Sequence, residues 1–128
     1  MAIPKPEFTI GIEEEYLLVE RETRNLVRDP PESVMESAVR RLEAQVGHEF
    51  LRSQVEVGTR ICSTIQEARD DLARLRKAVA EVAEQHGLAM IAASTHPFAE
   101  WGDQLTTDNK RYHVLAQDLQ EVARRLVI

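Results

Sequence analysis

Residues 11–19 have the sequence GIEEEYLLV, and the predicted fold is built around them. Apolar, β-branched and aromatic residues flank three consecutive glutamates, which favours a β-strand. Because side chains alternate between the faces of a strand, Glu13 and Glu15 share one face and Glu14 points to the other. Two neighbouring carboxylates in an apolar strand are unfavourable unless water, a proton or a cation relieves their repulsion. The face of Glu14 is the more continuously apolar, with Ile10, Ile12, Tyr16 and Leu18.

The composition is that of an ordinary globular chain of 128 residues, which forms one domain or part of one. Hydrophobic residues make up 43% and charged residues 30%, which argues against disorder. The net charge of −6 argues against a nucleic-acid surface, and the single cysteine, Cys62, excludes an internal disulfide. No signal-peptide core and no membrane-length apolar segment is present. We therefore expect a cytoplasmic protein without a membrane or nucleic-acid partner.

The first half of the chain predicts two strands in a hairpin, a helix and a further strand. The hairpin strands cover 8–20 and 26–28, on either side of the polar turn 21–25. The helix begins near Asp29, where two prolines and an acid follow a capping residue, and ends at Gly47. The next strand covers 49–58, in which Phe50, Val55 and Val57 suggest burial and Gln54, Glu56 and Gly58 have the opposite parity to the two valines.

The second half of the chain predicts two more helices with a strand between them. The longest helix covers 64–86 and begins with a capping box of Thr64 and Glu67. An apolar strand covers 88–93, and a last helix starts at about Asp108 with Tyr112 on its apolar stripe. The sequence then ends on the apolar run LVI without a polar tail. We therefore expect residues 1–128 to form an incomplete domain.

This order of elements predicts an α+β fold with a mainly antiparallel sheet and helices packed on one face. A doubly wound parallel fold is the alternative, because each later strand is followed by a helix. The opening hairpin and the absence of a glycine-rich phosphate loop count against that alternative.

Three glutamates on the polar faces of two predicted strands form the candidate site: Glu13, Glu15 and Glu56. Two carboxylates about 6 Å apart at an effective dielectric constant of ~20 repel by roughly 3 kcal/mol. That repulsion is a large part of a domain stability of ~5–15 kcal/mol. A bound magnesium ion would relieve it, because magnesium prefers carboxylate and phosphate oxygens. Protonation and a solvated sheet face are the alternatives.

Four segments of the sequence resemble one enzyme family. The run 8–19, FTIGIEEEYLLV, resembles the N-terminal motif of the type 2 glutamate–cysteine ligases, also called carboxylate–amine ligases. The run QVEV at 54–57, followed by Thr59, is similar to the second acidic strand of that family. The run STHPF at 94–98 and the pair Arg111-Tyr112 are similar to its later landmarks. The resemblance implies a fold related to glutamine synthetase, with a curved antiparallel sheet, helices outside it and the active site on its inner face.

The same resemblance implies an ATP-dependent ligase with small-molecule substrates, a carboxylate such as glutamate and an amine such as cysteine. The carboxylate would take the γ-phosphate of ATP, and the amine would displace the resulting acyl phosphate. The implied cofactors are ATP and Mg2+ or Mn2+, with Glu13, Glu15 and Glu56 as metal ligands. Family enzymes are much longer, so residues 1–128 would be the N-terminal part of a single catalytic domain and inactive alone.

Three basic residues are candidate catalytic groups. Arg60 follows the second acidic strand and would hold a substrate carboxylate through paired hydrogen bonds. His96 would contact substrate or phosphate from its loop, and Arg111 would reach the site from the last helix. Solvated or structural roles are the alternatives for all three, and Cys62 is expected to be a buried packing residue. The other histidines show no metal-ligand spacing and are expected at the surface: His48, His86 and His113.

Two other classes of function fit the same residues. The first is a non-catalytic module of the same fold that serves binding or homo-oligomer assembly. The second is a metal-dependent hydrolase, which would use paired carboxylates without an amine acceptor. Release of ADP that requires an amine distinguishes the ligase from both.

Overall fold

The computed structural model describes residues 7–126, with side chains described for residues 7–118. Short 3-10 turns cover Glu43–Gln45 and Trp101–Asp103. The strands and helices are β1 (Glu13–Glu20), α1 (Glu32–Leu42), β2 (Val46–His48), β3 (Gln54–Gly58), α2 (Ile65–Gln85), β4 (Leu88–Ile91) and α3 (Lys110–Leu126). The strands form one sheet in the order β2-β3-β1-β4, and every neighbouring pair is antiparallel. The predicted α+β class with an antiparallel sheet is confirmed, and the parallel alternative is wrong.

β1 is one of the two inner strands of the sheet, with β3 on one side and β4 on the other. Its first half pairs with β3 and its second half pairs with β4. Residues 16–19 are each only 1% exposed, because Tyr16 and Leu18 are buried on one face of the sheet and Leu17 and Val19 on the other. The strand is therefore apolar on both faces over residues 16–19 and carries three of its four glutamates at its start, with Glu20 exposed at its end.

Helices α1 and α2 pack on one face of the sheet, which we call the helix side. Tyr16 and Leu18 of β1 and Val55 and Val57 of β3 form this face. The helices bury apolar stripes against it, and that of α2 comprises Leu72, Leu75, Val79 and Val82. The opposite face, which we call the carboxylate side, has a smaller apolar cluster at the β4 end, formed by Leu17, Val19 and Leu26.

α2 agrees with the sequence prediction almost to the residue. Thr64 Oγ1 accepts a hydrogen bond from the N–H of Glu67 at 3.1 Å, and the Glu67 carboxylate accepts one from the N–H of Ser63 at 2.7 Å. Gly87, with a φ of 73°, then turns the chain out of the helix and into β4. Within the described part of the chain, no helix combines the length and the apolar composition that a membrane crossing requires.

α1 is shorter than predicted at both ends. It begins at Glu32 after Pro31 and ends at Leu42, where Glu43 adopts a φ of 54° and its N–H bonds to the carbonyl of Val39. The expected end at Gly47 is wrong because Val46 and Gly47 belong to β2. Helical spacing counted Val46 as part of α1, but its burial comes from pairing with β3, which a local pattern does not reveal.

The predicted strand over 49–58 is interrupted. Residues 49–53 form a loop after β2, in which Leu51 N–H bonds to Gln54 Oε1 at 2.9 Å, and only Gln54–Gly58 is strand. The first strand is also shorter than its predicted range of 8–20, because it begins at Glu13. The hairpin strand predicted over 26–28 reduces to a single bridge between Val19 and Leu26.

Candidate metal centre

Glu15 of β1 and Glu56 of β3 lie directly opposite each other in the antiparallel ladder. Their side chains are on the carboxylate side, because Tyr16 and Val55, the next residues along each strand, are buried on the helix side. Glu49 reaches them from the loop after β2. One carboxylate oxygen from each of the three glutamates lies within 4.8 Å of the others. We call these three side chains the carboxylate cluster.

Glu49 is the member of the cluster that the sequence did not predict. In an unbroken strand over 49–58, Glu49 would share the parity of Val55 and Val57 and would point into the core. The loop at 49–53 breaks that alternation and brings Glu49 to the other face. The only local signal for this break is the polar run Arg52-Ser53-Gln54 between two apolar segments.

Glu13 lies next to the cluster and is not a member of it. It pairs with Gly58 across the ladder, and its side chain lies over that glycine, 3.9 Å from the position of a Cβ there. This is an ordinary van der Waals distance, so the Glu13 side chain packs directly over residue 58. Its negative charge still acts on the cluster, because it raises the pKa of both Glu15 and Glu56.

The carboxylate cluster brings negative charges close together, and their repulsion is seen in the pKa values of its members. Burial, followed by the charges of Glu49 and Glu13, raises the pKa of Glu15. Burial and the charges of Glu49, Glu13 and Glu15 raise the pKa of Glu56 in the same way. Among the side chains that the structure describes, none of the ion pairs involves Glu13, Glu15, Glu49 or Glu56.

The donor set of the cluster fits a hard divalent cation. Magnesium and manganese prefer oxygen ligands such as carboxylates. Glu15, Glu49 and Glu56 each offer a carboxylate oxygen. Two oxygens on one magnesium ion are at most about 4.2 Å apart, because each Mg–O bond is about 2.1 Å long. Neighbouring oxygens on such an ion are only about 3 Å apart, so the three side chains, whose oxygens lie within 4.8 Å of one another, would have to rotate toward each other to share one ion.

Tyr112 of α3 contacts the cluster from outside. Its hydroxyl lies 3.2 Å from the carbonyl oxygen of His48 and 3.4 Å from Oε2 of Glu49. Its ring packs edge-on against Phe50, with ring centroids 5.8 Å apart. The sequence placed Tyr112 on the apolar stripe of the last helix, and the structure shows that the buried ring also carries a polar end to Glu49.

Glu14, between the two glutamates of the carboxylate side, is on the helix side. Arg76 of α2 donates two hydrogen bonds to its carboxylate, one of them from Nε at 2.7 Å, and the hydroxyl of Tyr16 donates a third. The bonds from Arg76 outweigh the effect of burial and hold the pKa of Glu14 below its ordinary value. The division of the three glutamates between the two faces follows the predicted alternation.

The structure does not bring Arg60 to the carboxylate cluster. Its guanidinium, which is 71% exposed, lies 3.2 Å from Oδ1 of Asp71 on α2, and its N–H donates to Oδ2 of the same residue. Arg74 and Gln45 also donate to this buried carboxylate. Burial raises the pKa of Asp71, but these hydrogen bonds outweigh burial and hold the pKa well below its usual range.

His96 and Arg111 lie in different surroundings. His96 is only 6% exposed; Nε2 lies 2.9 Å from the carbonyl oxygen of Arg24, and Nδ1 accepts from the N–H of Phe98 at 3.4 Å. This pattern fits the Nε2–H tautomer, and it fastens the 94–98 loop to the turn after β1. Arg111 is exposed on the first turn of α3, next to Tyr112. Substrate contact by either residue stays a prediction.

The remaining candidates agree with their structural interpretations in most cases. Cys62 is buried as expected, and its thiol contacts the carbonyl oxygen of Arg60 at 3.1 Å. His48 and His113 are exposed, as predicted. His86 is partly buried at the end of α2, where Nδ1 lies 2.9 Å from the carbonyl oxygen of Val82.

Comparison with known proteins agrees with the resemblance seen in the sequence motifs. The model of glutamate-cysteine ligase family 2 (GCS2) matches residues 9–128. A Rhodospirillum rubrum protein named "Putative glutamate--cysteine ligase 2" is 54% identical over 97% of this chain and 33% of its own length. Proteins of the same name from Jannaschia sp. and Chloroflexus aurantiacus are 51% and 46% identical, each over 94% of this chain. The chain spans about a third of the length of these relatives. It belongs to glutamate-cysteine ligase family 2.

Proposed function

We propose that this chain is the N-terminal part of the catalytic domain of an ATP- and magnesium-dependent carboxylate–amine ligase, which joins glutamate to cysteine. The observation that carries the proposal is the convergence of Glu15, Glu49 and Glu56 on one face of the sheet. Family membership supports the ligase class, and the names of the relatives support glutamate and cysteine as substrates. The raised pKa values of Glu15 and Glu56 support a cation site, because a divalent ion would remove the repulsion that raises them.

The proposed reaction needs charge neutralisation and positioning more than a protein nucleophile. ATP would phosphorylate the glutamate carboxylate, and the amine would displace phosphate from the acyl phosphate. Magnesium, when bound, neutralises charge on the phosphate oxygens. In this scheme Glu15, Glu49 and Glu56 hold the cation, and Glu13 adds negative charge beside them. The antiparallel ladder fixes Glu15 against Glu56, so two of the three oxygens are pre-positioned by backbone pairing.

Basic residues have different places in this proposal. Arg111 is the candidate for binding a substrate carboxylate, because it is exposed on the helix that also brings Tyr112 to Glu49. Arg60 and His96 support the loops that follow β3 and β4, since their contacts are with Asp71 and with the carbonyl oxygen of Arg24.

We expect the 128-residue chain alone to bind the cation without turning over substrate. The cluster provides metal ligands, but the sequence has no glycine-rich phosphate loop that would hold the nucleotide, and it spans about a third of the length of its relatives. Manganese binding measured by electron paramagnetic resonance, together with an ADP-release assay on the same sample, separates these two properties.

The deciding experiment measures ADP release by the whole-length protein with glutamate, cysteine and Mg2+ present, and with each omitted in turn. We expect ADP release only when all three are present. Glu15→Gln and Glu56→Gln should each lower kcat/KM by at least about 100-fold, the cost of removing one preorganised electrostatic contact. Glu36→Gln, a change on the exposed face of α1, should retain wild-type activity.

Three other outcomes would contradict this proposal in different ways. ATP hydrolysis that does not need an amine would indicate a metal-dependent hydrolase. Manganese binding or self-association without any ADP release would indicate a binding or assembly module. Full turnover by both Glu15→Gln and Glu56→Gln would show that the metal assignment is wrong, even if the ligase activity is present.

A further inference from the structure

We propose that Tyr112 is a positioning residue that orients the Glu49 carboxylate toward Glu15 and Glu56, an inference that rests on the proposed cation site. Tyr112 belongs to α3, outside the sheet, and is 8% exposed. Its hydroxyl is within hydrogen-bond distance of Glu49 Oε2 and of the carbonyl oxygen of His48. It therefore touches the one member of the carboxylate cluster that a strand does not carry.

Glu49 needs an orienting contact more than the other two glutamates. Glu15 and Glu56 sit opposite each other in paired strands, so the ladder fixes the direction in which both side chains leave the backbone. Glu49 lies in the loop after β2, where no ladder fixes that direction. A free glutamate side chain in a loop samples several rotamers, and most of them do not place an oxygen near Glu15 and Glu56.

Hydrogen bonds hold the backbone at Glu49 in place, so only the rotamer of its side chain remains to be fixed. Thr107 Oγ1 donates to the carbonyl oxygen of Glu49 at 2.6 Å, and the N–H of Thr107 donates to the carbonyl oxygen of Phe50 at 2.9 Å. The Tyr112 ring packs against Phe50, so its hydroxyl is held in place beside the carboxylate. The hydroxyl has one proton and two acceptors in reach, the carbonyl oxygen of His48 at 3.2 Å and Glu49 Oε2 at 3.4 Å. With the loop and the phenol both fixed, donation of that proton to Oε2 selects the orientation of the Glu49 side chain.

The hydroxyl is a suitable partner for a metal-binding carboxylate. A phenol has an ordinary pKa of about 10, so the hydroxyl of Tyr112 carries its proton at neutral pH and can donate it. The donor can engage Oε2 and leave the other oxygen of Glu49 for a cation. Hydrogen bonds of this kind orient ligands in protein metal sites, and their loss typically costs 10–100-fold in metal affinity.

The test is a manganese titration of the full 128-residue chain, followed by electron paramagnetic resonance. Tyr112→Phe removes only the hydroxyl and keeps the ring on Phe50, so we expect Kd for Mn2+ to rise about tenfold while the thermal midpoint is nearly unchanged. Tyr16→Phe is the matched control, because it removes a buried hydroxyl that bonds to Glu14 on the helix side. This control should leave Kd unchanged.

A double-mutant cycle with Glu49→Gln identifies the route of the effect. If Tyr112 acts through Glu49, Tyr112→Phe should have no further effect on Kd in the Glu49→Gln background. An undiminished effect there, or an unchanged Kd in the single variant, would overturn the inference. If Glu15→Gln abolishes Mn2+ binding while Tyr112→Phe does not weaken it, only the role of Tyr112 fails. A wild-type chain that does not bind Mn2+ overturns the cation site and this inference together.

A measurement on the wild-type chain keeps the inference testable if Tyr112→Phe does not fold. The sequence contains two tyrosines, so ring labelling gives separate nuclear magnetic resonance signals for Tyr16 and Tyr112. On adding Mg2+ the Tyr112 signal should shift, because its partner Glu49 changes its charge environment, and the Tyr16 signal should not. Equal shifts, or no shift of Tyr112 at saturating Mg2+, would contradict the proposed contact.

Discussion

Glu14 and Glu15 are consecutive residues of one strand, and the two faces of the sheet give their carboxylates opposite surroundings. On the helix side, Arg76 donates two hydrogen bonds to Glu14 and lowers its pKa. On the carboxylate side, Glu15 faces Glu49 and Glu56, and its pKa is raised. Glu14 is partly buried and Glu15 is exposed, and burial raises the pKa of a carboxyl group, so exposure does not explain why the pKa of Glu14 is the lower one. The difference follows from the ion pairs: among the described side chains, Arg76 pairs with Glu14 on the helix side, and no cation pairs with Glu15 on the carboxylate side.

Asp71 shows that a carboxylate can be more deeply buried than the carboxylate cluster and still have a lowered pKa. Its carboxylate is more enclosed than those of the cluster, with only 2% of the side chain exposed, yet its pKa is lowered because Arg60, Arg74 and Gln45 donate to it. The protein therefore neutralises its acidic groups on the helix side with its own arginines. Among residues 7–118, whose side chains are described, no cation pairs with the acidic groups of the carboxylate side, which is the arrangement that the proposed cation site requires.

Among the substitutions that test this difference between the two faces, the largest change in stability is expected at Asp71. Asp71→Ala should lower the free energy of unfolding by about 2–3 kcal/mol, since it removes the buried acceptor of hydrogen bonds from Arg60, Arg74 and Gln45, and the two arginines that remain are exposed to solvent. Urea unfolding of the wild type and the variant at pH 7 measures the loss. Asp70→Ala, which changes an exposed aspartate one residue earlier on the same helix, should change the free energy of unfolding by no more than about 0.5 kcal/mol. Equal effects of the two changes would show that the network around Asp71 adds little stability.

The two-faced strand was predictable from the sequence because period-two alternation is local. Alternation alone placed Glu13 and Glu15 on one face and Glu14 on the other, and the ladder agrees. The pairing of β1 with β3 was harder to predict, because alternation within one strand does not identify its neighbour. It was expected from the resemblance of the motif at 54–57 to the second acidic strand of the family. The contact between Glu14 and Arg76 could not be predicted from the sequence. Arg76 is 62 residues away and looks like any other charged residue on an amphipathic helix.

Tertiary pairing decided the features that the sequence did not reveal. Val46 fits the spacing of α1, and only its pairing with Val57 makes it a strand residue. Glu49 joins the carboxylate cluster because a loop of five residues breaks the alternation of the predicted strand. The helical spacing of Tyr112 correctly predicted that its ring is buried, but it did not predict the contact of its hydroxyl with Glu49. In each case the missing information was a contact between residues distant in sequence.

A smaller effect is expected from Arg76, the cation of the helix side. Arg76→Ala should lower the free energy of unfolding at pH 7 by about 1–2 kcal/mol, because Glu14 keeps only the hydroxyl of Tyr16 as a donor and the exposure of Arg76 weakens the pair. Glu14 has a lowered pKa, so its stabilising effect is present above its ordinary value of 4.5 and is lost as the pH falls through the folded-state value.

The difference between wild type and Arg76→Ala should therefore shrink as the pH is lowered from 7 to 3. Urea unfolding at several pH values measures this trend. Lys77→Ala is the control, because it removes a more exposed cation from the next position of the same helix. A difference that is as large at pH 3 as at pH 7 would mean that Arg76 contributes by packing rather than by charge.

The smallest effect, and the one of opposite sign, is expected from Glu15 on the carboxylate side. In the presence of a chelator, Glu15→Gln should raise the free energy of unfolding at pH 7 by about 1 kcal/mol, since it removes repulsion that solvent partly screens. Glu15 and Glu56 have raised pKa values, so the folded state binds their protons more tightly than the unfolded state. Their contribution to stability is complete below 4.5 and is lost as the pH rises through the folded-state values. The advantage of Glu15→Gln should therefore vanish near pH 4, and Glu22→Gln in the turn after β1 should show no such trend.

Magnesium provides the most discriminating test of the difference between the two faces, because it should stabilise the wild type at pH 7 and leave the stability of Glu15→Gln unchanged. The order of the two stabilities would then reverse between chelator and metal. If Glu15→Gln is instead the less stable protein in chelator, the carboxylates of this face are already neutralised within the protein, and the two faces of the sheet do not differ as described.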